Sequence, residues 1–447
     1  MNSIYLNQIN SSYNICSDFI FKNLSQNMTA ITYLEAEDTL YVRLNNLRIR
    51  QNTEVEQATM TLTLFTENKS IKNEYCLTGK ERIDLLNTKI ILKKAIDSLN
   101  HSLEENSSYQ LSSNVTESIT EFKSFYNKEE IIAAILQEAS SLDFNGIIHF
   151  GPVTRAARNS YGSHHFFSTD FFNLDYSLFQ GNKSIKSLYC GFEWDQQRFK
   201  QNFMTHKENL SDLKKQTTSL SPKKYRVYLA PNAVNELTQM LSWRAASQKA
   251  YRQGNSPFKK LIENQVNLSK HLTIRENKTL GLSNPFSAMA EKSLEQMVFV
   301  EKGQFVELFT STKTANEYQL KSNFADSNEG FQSLEILPGF MEEKDILKNL
   351  DTGLFISNLH YLNWSNESEA RITGMTRNGC FWVKDGVIQG PIQDLRFDDS
   401  FYHLWGAGLE SITNFQELEF DTNTYDKRHL GGKKTPGMII NEMNFTL

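Results

Sequence analysis

Three observations predict an α+β fold, with a mixed helix/strand N-terminal region over residues 1–221 and a β-rich C-terminal region over 222–447. Helix-period and strand-period segments alternate in the first half, whereas strand and turn patterns dominate the second. Ser221-Pro222-Lys223-Lys224, a turn-forming stretch, lies where the pattern changes. The 447-residue chain is 39% hydrophobic and 12% aromatic, with 30 Phe and 17 Tyr, enough apolar surface to offset the entropy of ordering.

The elements follow in order. Residues 1–28 place Ile15, Phe19, Phe21 and Leu24 at helical spacing. Leu40–Leu44 and Ala58–Phe65 read as strands, the second alternating Thr with apolar residues. Between them runs an extended piece with a turn at Asn45-Asn46. Leu85, Leu86, Ile90, Leu92, Ala95, Ile96 and Leu99 define an amphipathic helix over 81–104. Residues 105–120, rich in Ser, Asn and Thr, read as a surface loop. A helix over Lys128–Ser140 precedes the buried-strand pattern Gly146–Gly151. The aromatic block Ser160–Phe179 reads as two short strands joined near Phe172-Asn173, and a polar helix covers Trp194–Leu213. Beyond the boundary, Tyr225–Ala230 is a strand closed by Pro231, and Asn232 is the expected N-cap of a helix to about Gln253. Strands are then expected at Gln296–Val300, Gln304–Thr310, Leu354–Leu359, Gly379–Val383 and Pro436–Met443. Asp385-Gly386 signals a hairpin turn, and Pro391 suits a strand's first residue or an edge.

The formal charge of −5 offers no general attraction to nucleic acid or anionic lipid. No apolar run reaches the roughly 18 residues a membrane span needs. The start of the chain lacks a secretory-signal pattern, and Cys16, Cys76, Cys190 and Cys380 are scattered, which suits reduced thiols in the cytoplasm. The sequons Asn114-Val115-Thr116 and Asn363-Trp364-Ser365 are then chance matches. None of the nine histidines is followed by Glu, so the helical zinc-peptidase pattern is absent. His164-His165 is the nearest to a cluster, but neighbours on a strand point to opposite faces. His206 is expected on a solvated helix face, and Cys190 and Cys380 as buried, inert thiols. The pairs Lys223-Lys224, Lys259-Lys260 and Lys433-Lys434 read as solvated turns. No phosphate loop, dinucleotide fingerprint or nucleophile elbow occurs. No catalytic, cofactor-binding or metal-ligating residue is therefore assigned.

The C-terminal third runs Asp351-Thr352-Gly353-Leu354-Phe355-Ile356-Ser357-Asn358-Leu359, then Arg371-Ile372-Thr373-Gly374-Met375-Thr376-Arg377-Asn378-Gly379-Cys380-Phe381-Trp382-Val383-Lys384-Asp385-Gly386, then Gly390-Pro391-Ile392. This resembles the TldD/PmbA family, formerly called modulators of DNA gyrase. There a Gly-Leu strand, a Gly-bearing bend, a Gly-Phe-Trp strand, an acidic-Gly turn and a Pro-led strand follow in the same order. Tyr228-Leu229-Ala230-Pro231-Asn232-Ala233-Val234 with the Met240–Tyr251 helix, the closing Pro436-Gly437-Met438-Ile439-Ile440, and Asn46-Leu47-Arg48-Ile49-Arg50-Gln51 extend the likeness over nearly the whole chain. It is dense after residue 222 and sparse before. The polar segment 363–369 departs from the family's Gly-rich, Pro-containing turn, which points to a specialised loop beside the expected peptide cleft.

The resemblance implies a two-chain peptidase. Its TldD branch carries His-Glu-x-x-x-His and a further cysteine as zinc ligands, and its PmbA branch, also called TldE, lacks them. At the corresponding helix this sequence reads Ala233-Val234-Asn235-Glu236-Leu237-Thr238-Gln239-Met240-Leu241, with no zinc ligand. The resemblance thus implies a non-catalytic PmbA/TldE-type subunit with no cofactor of its own. Zinc is expected in a TldD-type partner, and an unfolded peptide, degraded or matured, is the expected substrate. The alternatives are a peptide-binding or maturation factor without a peptidase partner, and a hydrolase with a non-zinc site such as a cysteine. Assembly is expected either as a homodimer or with a TldD-type chain. Phe381, Trp382, Phe397, Phe401, Tyr402 and Trp405 are the expected pairing surface.

Overall fold

The computed structural model describes residues 3–46, 48–104 and 115–446. The N-terminal region is built on one sheet of very long strands. Helix α1 (Ile4–Lys22) is capped by Ser3, whose Oγ accepts the Leu6 N–H at 3.2 Å. Strands β1 (Thr29–Asn45) and β2 (Arg48–Phe65) form a hairpin of 17 and 18 residues, with Asn46 turning at φ 47°. Then come β3 (Ser70–Cys76), α2 (Glu81–His101), β4 (Glu117–Phe122), α3 (Lys128–Glu138), β5 (Asp143–Asn159), β6 (His164–Gln180), β7 (Lys183–Gly191) and α4 (Gln196–Asp212). The sheet order is β3-β2-β1-β5-β6. The outer edge of β6 is shared, β4 pairing parallel to its first part and β7 antiparallel to its second.

Several sequence expectations are corrected here. The block Ser160–Phe179 is one unbroken strand rather than two. Its burial changes sides midway: His165, Phe167, Thr169 and Phe171 bury the odd-numbered face, then Phe172, Leu174, Tyr176 and Leu178 bury the even-numbered one. A switch of faces in a continuous strand looks like a break when alternation is counted along the sequence. The even face packs under the helices, with Phe144, Phe199 and Phe203. The odd face meets Phe286 and Phe420 of the C-terminal region. Within the expected 105–120 loop, 105–114 lie outside the described residues, as do Leu47 and Asn114, but 117–122 form β4. Helix α2 buries Asp84 and Thr88 and exposes Leu86 and Ile90, because Asp84 accepts from the Thr78 N–H at 2.9 Å and the Thr88 hydroxyl meets Tyr75 at 3.0 Å.

The C-terminal region contains β8 (Lys224–Leu229), α5 (Pro231–Gln239), α6 (Gln248–Arg252), α7 (Lys259–Ile262), β9 (Ile274–Asn277), β10 (Gln296–Glu301), β11 (Gln304–Phe305), α8 (Thr312–Tyr318) and β12 (Ser333–Ile336). It continues through α9 (Ile346–Leu350), β13 (Gly353–Ile356), β14 (Asn358–Asn366), β15 (Arg371–Arg377), β16 (Phe381–Lys384), β17 (Val387–Pro391), β18 (Arg396–Ser400), β19 (Leu409–Ile412), β20 (Glu417–Phe420), β21 (Gly432–Thr435) and β22 (Met438–Asn444). Three sheets result: β11-β10-β9-β12-β21-β20, β17-β16-β13-β8-β22-β19 and β14-β15-β18. The architecture is α+β, with its second half strand-rich.

Asp385 and Gly386 turn at φ 52° and 72°, the paired positive angles of a type I′ hairpin between β16 and β17. Pro391 is the last, not the first, residue of the edge strand β17. Leu354–Leu359 is divided at Ser357 because β13 and β14 belong to different sheets, and of the expected 304–310 strand Gln304–Phe305 form a strand while Phe309 makes only an isolated bridge to Ser247. The helix expected from Asn232 to Gln253 is capped by Ala230, with Pro231 at its first position, and stops at Gln239. A 3₁₀ turn over Met240–Ser242 and the left-handed Arg244 (φ 69°) then break it, and α6 starts afresh at a Ser247 cap. The aromatic pairing surface is also overturned. Phe397, Phe401 and Trp405 are fully buried, with Trp382 and Tyr402 packed at the rim of the same core, and Phe381 is fully buried in the core that holds Phe144, Phe199 and Phe203.

Candidate functional site

Helix α5, the end of β6, β7, β14 and the chain leaving β20 surround a cleft of about 460 Å³. Its walls are polar: Asp175 and Lys186 from the N-terminal sheet, Asn232 and Glu236 from α5, His360 and Tyr361 from β14, Arg377 from the end of β15, and Glu419 from β20. Ties between the two regions hold these walls. The Asn358 carboxamide donates to the Lys186 carbonyl at 3.2 Å, and the Ser184 hydroxyl to Asn378 at 2.8 Å. Lys186 and Asp175 pair at 3.3 Å. Tyr361 stands 74% exposed with φ 54°, inside an irregular stretch of β14 between His360 and Asn363. β14 is the outermost strand of its sheet, so one of its edges pairs with no strand among the described residues.

Positions 235–240 read Asn235-Glu236-Leu237-Thr238-Gln239-Met240, the C-terminal half of α5 and the first residue of the 3₁₀ turn after it. No histidine stands anywhere on α5 or in the turn after it, and Glu236 is the only carboxylate of the helix. Asn235 is buried and committed elsewhere: its amide donates to Glu419 at 2.8 Å, and its oxygen accepts from Thr435 at 2.5 Å. Met240 lies in the core. Glu236 lines the cleft, its carboxyl pushed up by burial and by Glu419, against the pull of Lys433 and Lys186. With no histidine or cysteine and a single carboxylate, α5 does not fit the zinc of the family pattern. Among the described residues no cluster of three or more His, Cys, Asp or Glu is placed to hold a metal.

None of the histidines, cysteines and lysine pairs singled out in the sequence lines the cleft except His360, although Cys380 and Lys433 lie directly behind its walls. His165 is fully buried, between Thr116 at 3.0 Å and Ser118 at 2.8 Å, while His164 points to the other face. His206 is not on a solvated face: its ring meets the Tyr176 hydroxyl at 2.8 Å. Burial pushes the thiols of Cys380 up to about 11 and Cys190 up to about 12, so neither is an activated nucleophile. Of the basic pairs, Lys224 holds Glu442 at 2.9 Å, Lys260 holds Glu369 at 2.6 Å, and Lys433 donates to the Asn235 carbonyl at 3.0 Å. The cleft residues Asp175, Lys186, His360, Arg377 and Glu419 had no local signal in the sequence, since they converge from strands far apart in it.

Burial pushes both His165 and His206 down to about 4. In the unfolded chain each titrates near 6.5, so below that pH the unfolded state binds more protons and the folded state loses stability. Each histidine is expected to remove about 2 kcal/mol between pH 7 and pH 5. Urea unfolding of His206→Gln should therefore show a pH dependence smaller than wild type by about that amount. Equal slopes for the two proteins would refute it.

The sequence model described as the PmbA/TldA metallopeptidase C-terminal domain matches residues 222–447. No curated protein matches the chain. Three solved structures share the fold. A protein described as a candidate modulator of a DNA gyrase from Thermotoga maritima is 14% identical, with a TM-score of 0.77 over 97% of this chain and 100% of that one. TldE from Thermococcus kodakarensis is 13% identical, with a TM-score of 0.74 over 98% and 100%. A candidate modulator of DNA gyrase from Bacteroides thetaiotaomicron is 14% identical, with a TM-score of 0.74 over 98% of each chain. With its C-terminal half matching the family's domain and its strand order following the motif pattern, the chain belongs to the TldD/PmbA family.

Proposed function

We propose that this chain is the non-catalytic, TldE-type subunit of a two-chain metallopeptidase. Zinc would sit in a TldD-type partner, and this subunit would help hold unfolded peptide. The observation that carries this reading is α5, which lines the cleft through Asn232 and Glu236 and, with the turn after it, carries no histidine. The free edge of β14 supports peptide capture as an added strand, with main-chain hydrogen bonds giving affinity and the polar walls receiving side chains. Residues 1–221 and 222–447 would act as two domains sharing this cleft, and the cytoplasm is the proposed setting. A stand-alone peptide-binding factor is the second reading, favoured by polar cleft walls that the N-terminal sheet and α5, β14 and β20 of the C-terminal region supply together.

Desalted protein is expected to carry substoichiometric zinc and to leave an unfolded peptide intact. Cleavage is expected only after mixing with a homologue that bears His-Glu-x-x-x-His. One retained equivalent of zinc, or robust cleavage by this chain alone, would overturn the proposal. Peptide binding without cleavage in either form would favour the second reading.

A further inference from the structure

The far side of the N-terminal sheet carries an open edge. Strand β3 pairs only with Thr59–Phe65 of β2, so among the described residues the outer side of β2 from Arg48 to Gln57 has no neighbouring strand. Among the described residues, the first backbone bond to that side is the Leu77 N–H onto the Ala58 carbonyl at 3.0 Å. Arg48, Arg50, Glu54 and Glu56 are exposed there, and none forms an ion pair within the described chain.

An open edge usually protects itself with charges of one sign, which repel a second copy. This one has two basic residues in its first half and two acidic residues in its second. The run Arg48-Ile49-Arg50-Gln51-Asn52-Thr53-Glu54-Val55-Glu56 is self-complementary when read against itself antiparallel about Asn52. Arg48 then faces Glu56, Ile49 faces Val55, Arg50 faces Glu54, and Gln51 faces Thr53. A two-fold axis repeats each pairing, so attraction between opposite charges and contact between apolar residues occur on both sides of it. Arg50 is the extra residue of a bulge opposite Arg43 and Leu44. The bulge takes Arg50 out of strict alternation, but a long guanidinium side chain can still meet the carboxylate opposite it.

We propose that the Arg48–Glu56 edge of β2 is a pairing surface for a second copy of this chain, joining two sheets antiparallel about Asn52. The cleft lies at the other end of the sheet, beyond β1, β5 and β6, so both clefts of such a dimer stay open. The inference stands on the edge alone and does not depend on the role given to α5.

Charge reversal tests it by sedimentation equilibrium across the micromolar range. The wild-type chain is expected to dimerise, and added salt should weaken the dimer. E54R/E56R makes the edge wholly basic and R48E/R50E makes it wholly acidic. Each should weaken dimerisation at least about tenfold, with an unchanged thermal melt at concentrations low enough that all three proteins are monomeric, because these side chains are exposed. An equimolar mixture of the two variants restores Arg opposite Glu at every charged position and should recover the dimer mass. A monomeric wild-type chain would overturn the proposal. So would variants that dimerise as wild type does, or a mixture that stays monomeric.

Discussion

Trp405→Ala is expected to destabilise the protein by about 3–5 kcal/mol, a change that a pairing-surface aromatic would not produce. The indole is fully buried, 4.5 Å from the Phe401 ring centroid, and Phe401 in turn packs 5.5 Å from Phe258. Truncation would remove a large apolar side chain and leave a cavity that rigid strands on either side cannot close. The indole N–H has no hydrogen-bond partner among the described residues, so Trp405→Phe, which deletes that donor and keeps most of the ring, should lose much less. Urea unfolding should show a lower midpoint with an unchanged slope for the alanine variant. A loss below about 1 kcal/mol, or a change confined to assembly, would return Trp405 to the surface and refute the burial argument.

The aromatic cluster illustrates what the sequence could convey. Its density in the stretch 381–405 was plain, but density does not say which way a side chain points, because core and interface use the same residues. Local chemistry was legible where it acts locally. The Asp385-Gly386 turn, the edge position of Pro391, the Lys128 and Gln196 helices and the missing histidines of α5 all follow from short-range rules. Strand length was not legible, since β6 trades one buried face for the other between Phe171 and Phe172. Nor was the break at Arg244, where a non-glycine residue adopts a left-handed angle with no sequence signal. The cleft was half legible: the resemblance pointed to α5, but Asp175, Lys186 and Glu419 reach it through long-range pairing.

The least legible residue is the one whose loss should be felt across both regions. Arg428, in the 421–431 segment that leads away from the cleft, is buried in the N-terminal sheet. Its Nη1 donates to the Gly151 carbonyl at 2.7 Å, its Nη2 to the Phe171 carbonyl at 3.4 Å, and its guanidinium lies 4.1 Å over the Phe171 ring. Its own N–H donates to Glu37 at 3.2 Å, and the Lys427 ammonium pairs with Glu35 beside it. Gly151 makes this possible: at φ 118°, any Cβ there would sit 2.1 Å from the Asp38 carbonyl oxygen. Burial pulls the guanidinium down to about 10, opposed by Tyr41, Tyr126, Glu37 and Asp170, so it stays charged at neutral pH.

Arg428→Ala would leave two buried carbonyls without their donor and the nearby acidic groups without a cation, a loss expected at about 3–5 kcal/mol. Arg428→Met should recover only part of it, because filling the volume does not satisfy the carbonyls. The same arginine anchors the segment that follows Glu419 and Thr422 into the cleft wall, so its removal should also loosen that wall. Both alanine and methionine variants are therefore expected to gain a protease-sensitive site within 421–431, which Trp405→Ala at equal destabilisation should not show. If Arg428→Ala unfolds within about 1 kcal/mol of wild type and its digestion pattern is unchanged, the arginine is not the clamp between the two regions.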